Sequence, residues 1–238
     1  AGMRPYIFSK EEERKEKKFT EYVSAFRDYI AICHNNILNN KNNTMLEYLK
    51  KRNLTRDIIK KFNLGFNQDN RDIYEKLKIK HSESTLKDTG LFYHDEKSNK
   101  FIEKFRNRLI FPIFNITGNP IAIGGRIIEN KNYLAKYINS PETPFFKKGS
   151  NLFNLNFVRT LSNKLDTVYI VEGYMDVIGM AKYNIYNVVA NLGTALTDKQ
   201  VSTLNQFFDH IIICFDGDKS GKDAALRAAE SSIINLKT

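Results

Sequence analysis

The sequence predicts a mixed α+β fold in two parts: a basic N-terminal α+β lobe, then an α/β unit with a parallel-strand core. Three observations predict it. Short apolar runs alternate regularly with helical stretches in the last third. Amphipathic helices and a hairpin pattern fill what precedes. The charge also changes sign between the two: residues 1–158 carry 29 basic and 18 acidic side chains, whereas residues 159–238 carry 8 and 9. The whole chain is +10, from 37 Lys and Arg against 27 Asp and Glu. A basic front joined to a slightly acidic back fits a polyanion partner on the first part and other chemistry on the second. A Lys- and Asn-rich compositional bias explains the same numbers, so the motifs must decide.

Residues 1–10 read as a linker, residues 11–163 as the basic lobe and residues 164–238 as the α/β unit. From Glu11 to about His34, Phe19, Tyr22, Val23, Phe26 and Ile30 form one stripe of an amphipathic helix. The Asn-rich tract 35–43 ends it. Thr44 with Glu47 has capping-box spacing and opens a short helix through Leu49. Thr55 caps another that carries Ile58, Ile59 and Phe62 and stops near Gly65. Leu109–Phe114 and Pro120–Arg126 read as two strands around a turn at Thr117-Gly118-Asn119. Residues 136–149, with two prolines and polar turn formers, read as an ordered loop.

In the last third, Val168–Val171 is a strand, Tyr174 to about Tyr183 a helix and Tyr186–Ala190 a strand. Thr197 and Gln200 make a capping box for a helix to about Phe208. Ile211–Phe215 is the third strand, and Ser220 to about Asn235 the last helix. This alternation implies parallel strands. No apolar run reaches the roughly 18–20 residues of a membrane helix, and the charged tract 9–18 is wrong for a secretory signal. Cys33 and Cys214 are far apart, which argues against a disulfide framework, offers no zinc site and suits a reducing cytosol.

Acidic residues fall where the strands end. Glu172 follows the first strand, Asp216 and Asp218 follow the third, and Asp176 lies one helical turn beyond Glu172. The carboxyl ends of parallel strands face a ligand crevice, so these side chains share one edge. Gathered carboxylates repel unless a cation sits between them, and hard oxygen ligands select Mg²⁺. Gly173 and Gly217 let the backbone turn beside them. Asp216–Gly221 begins like an EF-hand loop, but position twelve is Arg227 and a strand precedes it. A Walker loop fails too, because Asp216 and Asp223 occupy its first Gly and its Ser/Thr positions. Helix-dipole preference explains Asp176 or Asp223, but not acidic residues at the ends of two strands.

VEGYMDV (171–177), NLGTAL (191–196) and FDGDKSGKDAALRA (215–228) resemble the Toprim module of bacterial, DnaG-type DNA primases. FRNRLIFPI (105–113), GGR (124–126), KYINSPET (136–143) and FKKG (146–149) resemble the polymerase-core motifs of the same family, in the same order. YLKKRNLT and FNLGF extend the resemblance over nearly the whole chain. It implies synthesis of short RNA primers from NTPs on single-stranded DNA, with Mg²⁺ or Mn²⁺, by a DNA-directed RNA polymerase. It implies Glu172, Asp216 and Asp218 as catalytic and metal-binding residues with Asp176 in support. It also implies Arg106, Arg108, Arg126, Lys136, Tyr137, Asn139 and Lys148 as nucleotide or nucleic-acid contacts.

Two departures are expected to matter. Family members also carry a zinc-binding module and a helicase-interaction domain, so zinc and the replicative helicase are expected of the full-length protein and not of this stretch. A further Asp-Gly-x-Asp-Pro motif follows the Toprim helix in the family, so 164–238 reads as an incomplete Toprim subdomain, and the isolated chain is expected to be weakly active or inactive. Asn154 stands where the family commonly has glycine. A monomer at the cytoplasmic replication fork, without membrane contact, completes the expectation. Other Toprim chemistry (a nuclease or a topoisomerase-like enzyme) and a catalytically incomplete single-strand-binding fragment are the competing readings.

Overall fold

The structure is a computed structural model that describes residues 9–68, 72–129 and 133–233. Most of the expected linker, and the last expected helix beyond residue 233, lie outside the described residues. The first helix, α1 (Lys10–Leu38), is longer than its stripe implies. Ser9 caps it by accepting from the Glu12 amide, and the Glu12 carboxylate accepts from the Ser9 amide, so Ser9 and Lys10, placed in the linker by the sequence, belong to the start of α1. At the other end the helix runs through Asn35 and Asn36, because Ile37 one turn beyond Cys33 still reaches the core. Burial of that side chain outweighs the weak helix propensity of two asparagines.

Helix α2 (Asn43–Lys51) is capped by Asn42, not Thr44: Asn42 Oδ1 accepts from the Met45 amide at 3.1 Å. Thr55 caps α3 (Arg56–Lys61) as its spacing predicts. The chain then enters β1 (Gly65–Asn67), the short helices α4 (Ile73–Lys78) and α5 (Glu83–Thr89), and the hairpin β2 (Phe92–Asp95) and β3 (Lys100–Glu103). The predicted central hairpin is β4 (Arg108–Phe114) with β5 (Pro120–Ile127), antiparallel.

Residues 136–149 are not all loop. Tyr137–Asn139 is β6, paired antiparallel to β5 with Arg126 opposite Tyr137 and Gly124 opposite Asn139. The free outer edge of β5 supplies the partner, and the Ser140 hydroxyl accepts the Ile123 amide where the ladder ends. The resulting sheet runs β1-β4-β5-β6, with α1 packed against it.

After the short helix α6 (Leu155–Val158) come β7 (Thr167–Val171), α7 (Tyr174–Ala181), β8 (Val188–Ala190), α8 (Asp198–Leu204), β9 (His210–Ile213) and α9 (Lys219–Ile233). The strands form a parallel sheet ordered β8-β7-β9, as the alternation predicts. The main core does not stop between the two parts. Val171, Tyr174, Val177, Ile178 and Ala181 belong to the same buried cluster as Tyr22, Phe26 and Phe111. A second cluster, with Val168, Ile170, Val201 and Leu204, packs on the other face of the parallel sheet.

Some of the asparagines occupy left-handed positions. Among the described residues every positive-φ position outside glycine is Asn: 53, 63, 99, 107, 154 and 184. Asn tolerates this region better than any other residue with a Cβ. Asn154 in particular has φ 70°, and its Nδ2 donates to the Val188 carbonyl at 2.9 Å, so it meets the conformational demand that a glycine would. Among the described residues, no helix is long and apolar enough to cross a membrane.

Candidate functional site

Parallel pairing of β7 with β9 puts their carboxyl ends on one rim. The Cys214 amide still donates to the Ile170 carbonyl, so the chains leave the sheet together, one into Glu172 and the other into Asp216. Glu172 Oε1 accepts from the Asp216 amide at 2.9 Å, which fixes the two residues side by side. Asp176, on the first turn of α7, accepts from the Gly173 amide at 3.0 Å. Burial pushes the Asp176 carboxyl above its ordinary range; the Gly173 bond pulls it back, and the Asp216 and Glu172 charges raise it further. Glu172, Asp176 and Asp216 are therefore electrostatic neighbours.

Asp218 is on the same loop but turned to a different task. Its Oδ1 accepts from the Gly221 amide at 2.8 Å and caps α9. Gly221 is the glycine on which the loop depends: a Cβ there would lie 2.1 Å from the Asp216 carbonyl oxygen. Gly173 is extended, and a Cβ at Gly217 would meet nothing within 4 Å, so neither carries the turn expected of it. Among the described residues, no three His, Cys, Asp or Glu side chains converge on one metal position. The hydrogen bonds show part of the reason: the Glu172, Asp176 and Asp218 carboxylates each accept from a backbone amide, at Asp216, Gly173 and Gly221, where a cation would otherwise draw them inward. The donor set itself, hard oxygens on one rim, fits Mg²⁺ or Mn²⁺.

The basic residues divide into groups. Arg126 is the centre of one. It is 7% exposed, with its guanidinium 5.2 Å from the Tyr48 ring and 5.3 Å from the Tyr137 ring. Its Nη1 donates to Tyr137 Oη at 3.0 Å, and its Nε is buried with no hydrogen-bond partner. Arg126 and Tyr48 line a cavity of about 630 Å³ together with Lys51, Arg52 and Lys136 and with Glu47 and Glu129. Tyr48 Oη is likewise buried without a well-formed hydrogen bond; burial raises its pKa, and the charges and side-chain contacts of Arg126 and Arg52 offset part of that rise. Tyr137 joins this cavity to the acidic rim. Its hydroxyl is raised by burial and by the Asp176 charge, and lowered by Arg126.

The other expected contacts lie elsewhere. Arg108 is buried, and its Nη1 donates to the Gly125 and Lys136 carbonyls at 3.4 and 3.3 Å, which ties β4 to the strands beside it. Arg106 borders a separate cavity of about 780 Å³, with Lys78, Lys87 and Lys100. Lys148 sits on a single 3₁₀ turn anchored by Gln200 Nε2 to its carbonyl; burial, and then the Lys148 charge, lowers the Lys104 ammonium below its ordinary range. Asn139 has both ends of its amide engaged: Oδ1 accepts from Tyr174 Oη and Nδ2 donates to the Leu192 carbonyl at 2.8 Å. Tyr48, Arg52 and Lys104 were missed from sequence. Tyr48 and Arg52 stand four apart at the end of α2, a same-face spacing that was legible.

Residues 32–159 match the family model of the DNA primase catalytic core, N-terminal domain, and residues 166–237 match the Toprim domain. The chain is 37% identical over 222 residues to the DNA primase of Clostridium acetobutylicum, covering 92% of this chain and 35% of that protein. It thus spans about a third of that relative's length. It superposes on a DNA primase domain from Pseudomonas aeruginosa with a TM-score of 0.81 at 37% identity, covering 91% of this chain and 68% of that one. A DnaG primase catalytic domain bound to ssDNA gives a TM-score of 0.82 at 30% identity, with the same coverage. The chain belongs to the catalytic-core family of bacterial, DnaG-type DNA primases.

Proposed function

We propose that this chain carries the site at which a bacterial primase builds short RNA primers from NTPs on a single-stranded DNA template. One observation carries the reading: the acidic rim and the Arg126 cavity adjoin, with Tyr137 bonded to Arg126 and within electrostatic reach of Asp176. Nucleotidyl transfer needs those two features together, a place for the triphosphate's charge and a place for cations beside it.

Glu172, Asp176 and Asp216 would hold Mg²⁺ or Mn²⁺, with Asp218 joining from the same loop. When bound, such ions neutralise phosphate charge and favour ionisation of the attacking hydroxyl. The chain's own residues do the positioning. Arg126, held beside the Tyr48 and Tyr137 rings and bonded to Tyr137 Oη, keeps donor capacity for a phosphate oxygen without having to order itself first. Lys136 and Arg52, which line the same cavity, draw the polyanion in and make binding salt-dependent. Arg106, Lys104 and Lys148 extend the positive surface along which the template lies, and the Arg108 guanidinium supports the strand beneath. The protein acts as a monomer in the bacterial cytoplasm. Zinc and the replicative helicase belong to other parts of the longer family members.

The test is Asp216→Asn in the full-length protein, measuring NTP-dependent primer synthesis and template binding. Synthesis falls by about 100-fold or more, as removal of a charge that organises transition-state electrostatics does, while template affinity is kept. Primer yield near wild type would refute the reading. Strand cleavage without NTPs would replace it with a Toprim nuclease.

A further inference from the structure

We infer that Tyr174 is a positioning residue that sets the distance between the acidic rim and the basic strand; the inference rests on the function proposed above. Tyr174 begins α7 two residues after Glu172, and its side chain points back through the core instead of toward a ligand. It is 4% exposed. The ring lies parallel to Phe111 of β4 at 4.8 Å and edge-on to Phe153 at 4.9 Å. Its hydroxyl donates to Asn139 Oδ1 at 2.5 Å, and Asn139 Nδ2 donates to the Leu192 carbonyl at 2.8 Å. One side chain therefore connects the helix that follows Glu172, the strand that carries Tyr137, and the loop after β8.

The backbone is cut to receive it. Gly124 of β5 faces the ring, and a Cβ at that position would lie 2.4 to 2.6 Å from Tyr174 Cζ, Oη and Cε2. A ring stacked on Phe111 and edge-on to Phe153 has little room to give, so a Cβ at Gly124 must displace it. Gly124 stands opposite Asn139 and two residues before Arg126, so the notch, the hydroxyl bond and the guanidinium share one short stretch of the β5-β6 pair. Asn139, engaged at both ends, is then a clip and not a reader of base or ribose. The pair makes the acidic rim and the Arg126 cavity one rigid body, and cations on the one tighten phosphate on the other.

The experiment compares the full-length protein with Tyr174→Phe, Asn139→Ala, the double variant and Gly124→Ala. ATP affinity is measured by calorimetry with and without Mn²⁺, alongside hydrogen exchange and melting. Tyr174→Phe keeps the stacked ring and melts within a few degrees of the parent. Its metal-free ATP affinity stays within about two-fold, while the factor by which Mn²⁺ tightens ATP falls by about five-fold or more, the scale of an ordinary coupling between sites. Asn139→Ala does the same, the double variant does no more than either single one, and Gly124→Ala reproduces the loss by displacing the ring. Exchange quickens at residues 137–140 and 191–194. Undiminished Mn²⁺ coupling in Tyr174→Phe overturns the inference. So does an Asn139→Ala variant that loses metal-free ATP affinity while Tyr174→Phe is silent. If the parent shows no Mn²⁺-dependent ATP binding, the proposed function fails instead, and the exchange data alone then decide the clip: faster exchange in Tyr174→Phe upholds it and unchanged exchange overturns it.

Discussion

Replacing Arg126 by Met removes a buried cation while leaving its stem. In the fold, the guanidinium gains two ring contacts of about 0.5–1 kcal/mol each and one charge-assisted bond to Tyr137 of about 1.5–3 kcal/mol. Against that stands the desolvation of a charge whose Nε finds no acceptor, a cost of several kcal/mol before compensation. The two sides nearly cancel, so Arg126→Met changes unfolding free energy by no more than about 2 kcal/mol. Binding should respond differently. Losing a charge-assisted contact to phosphate costs about 1.5–3 kcal/mol, so ATP affinity falls by roughly 10- to 150-fold. Arg126→Lys keeps the charge but not the planar fork beside the rings, and recovers only part of it. Denaturant titration gives the first quantity and calorimetry with Mg²⁺ the second. A folded Arg126→Met variant that binds ATP within about three-fold of the parent would show that the guanidinium is a core brace and not a phosphate ligand.

Two further predictions concern protons. Burial pushes the Tyr22 hydroxyl up to about 12, while its bond to the Ile121 carbonyl at 2.7 Å is kept. A raised folded-state pKa gives stability that is full below pH 10 and drains away as pH rises toward 12, about 2–3 kcal/mol in all. Tyr22→Phe should lose about 1 kcal/mol at neutral pH and unfold less steeply between pH 10 and 12; an unchanged alkaline profile would exclude Tyr22 as its source. Burial also raises the Glu103 carboxyl, against bonds from Asn67 and the Ile73 amide that lower it. Its contribution is therefore complete below the ordinary carboxylate range and is lost as pH rises through the raised value. Glu103→Gln should flatten the melting profile across that interval, and a Gln variant with the parent's slope would refute the assignment.

The parallel unit was legible because its signals are local. Strand, helix and strand follow within the period rules, and Glu172 and Asp216 fall immediately after apolar runs whose ends must coincide in a parallel pair. Where reasoning failed, the deciding interaction lay far along the chain. Residues 137–139 form a strand only because β5 has a free edge, which no property of KYIN reveals. The Asn-rich run 35–43 reads as a break, yet Ile37 holds two of its members in a helix by reaching the core. Glycines misled in a related way. Gly217 sits in the acidic motif, yet a Cβ there would meet nothing within 4 Å, whereas Gly221, four residues on, is the one the loop closes over.

The same distinction sorts the candidate site. Chemistry-bearing residue types at strand ends were visible, but which of them face a ligand is a question of hydrogen-bond saturation. Arg108 and Asn139 have the residue types expected of nucleotide contacts, and their side chains are bonded to carbonyls and to Tyr174. Arg126 keeps a buried donor unused, which a fold retains only at a cost of about 1–3 kcal/mol unless a partner arrives. Tyr48, without any motif to recommend it, lines the same cavity with a buried hydroxyl that lacks a well-formed hydrogen bond. Unspent hydrogen-bonding capacity beside an acidic rim therefore ranks Arg126 and Tyr48 ahead of Arg108 and Asn139 as contacts for the phosphate in the function proposed above.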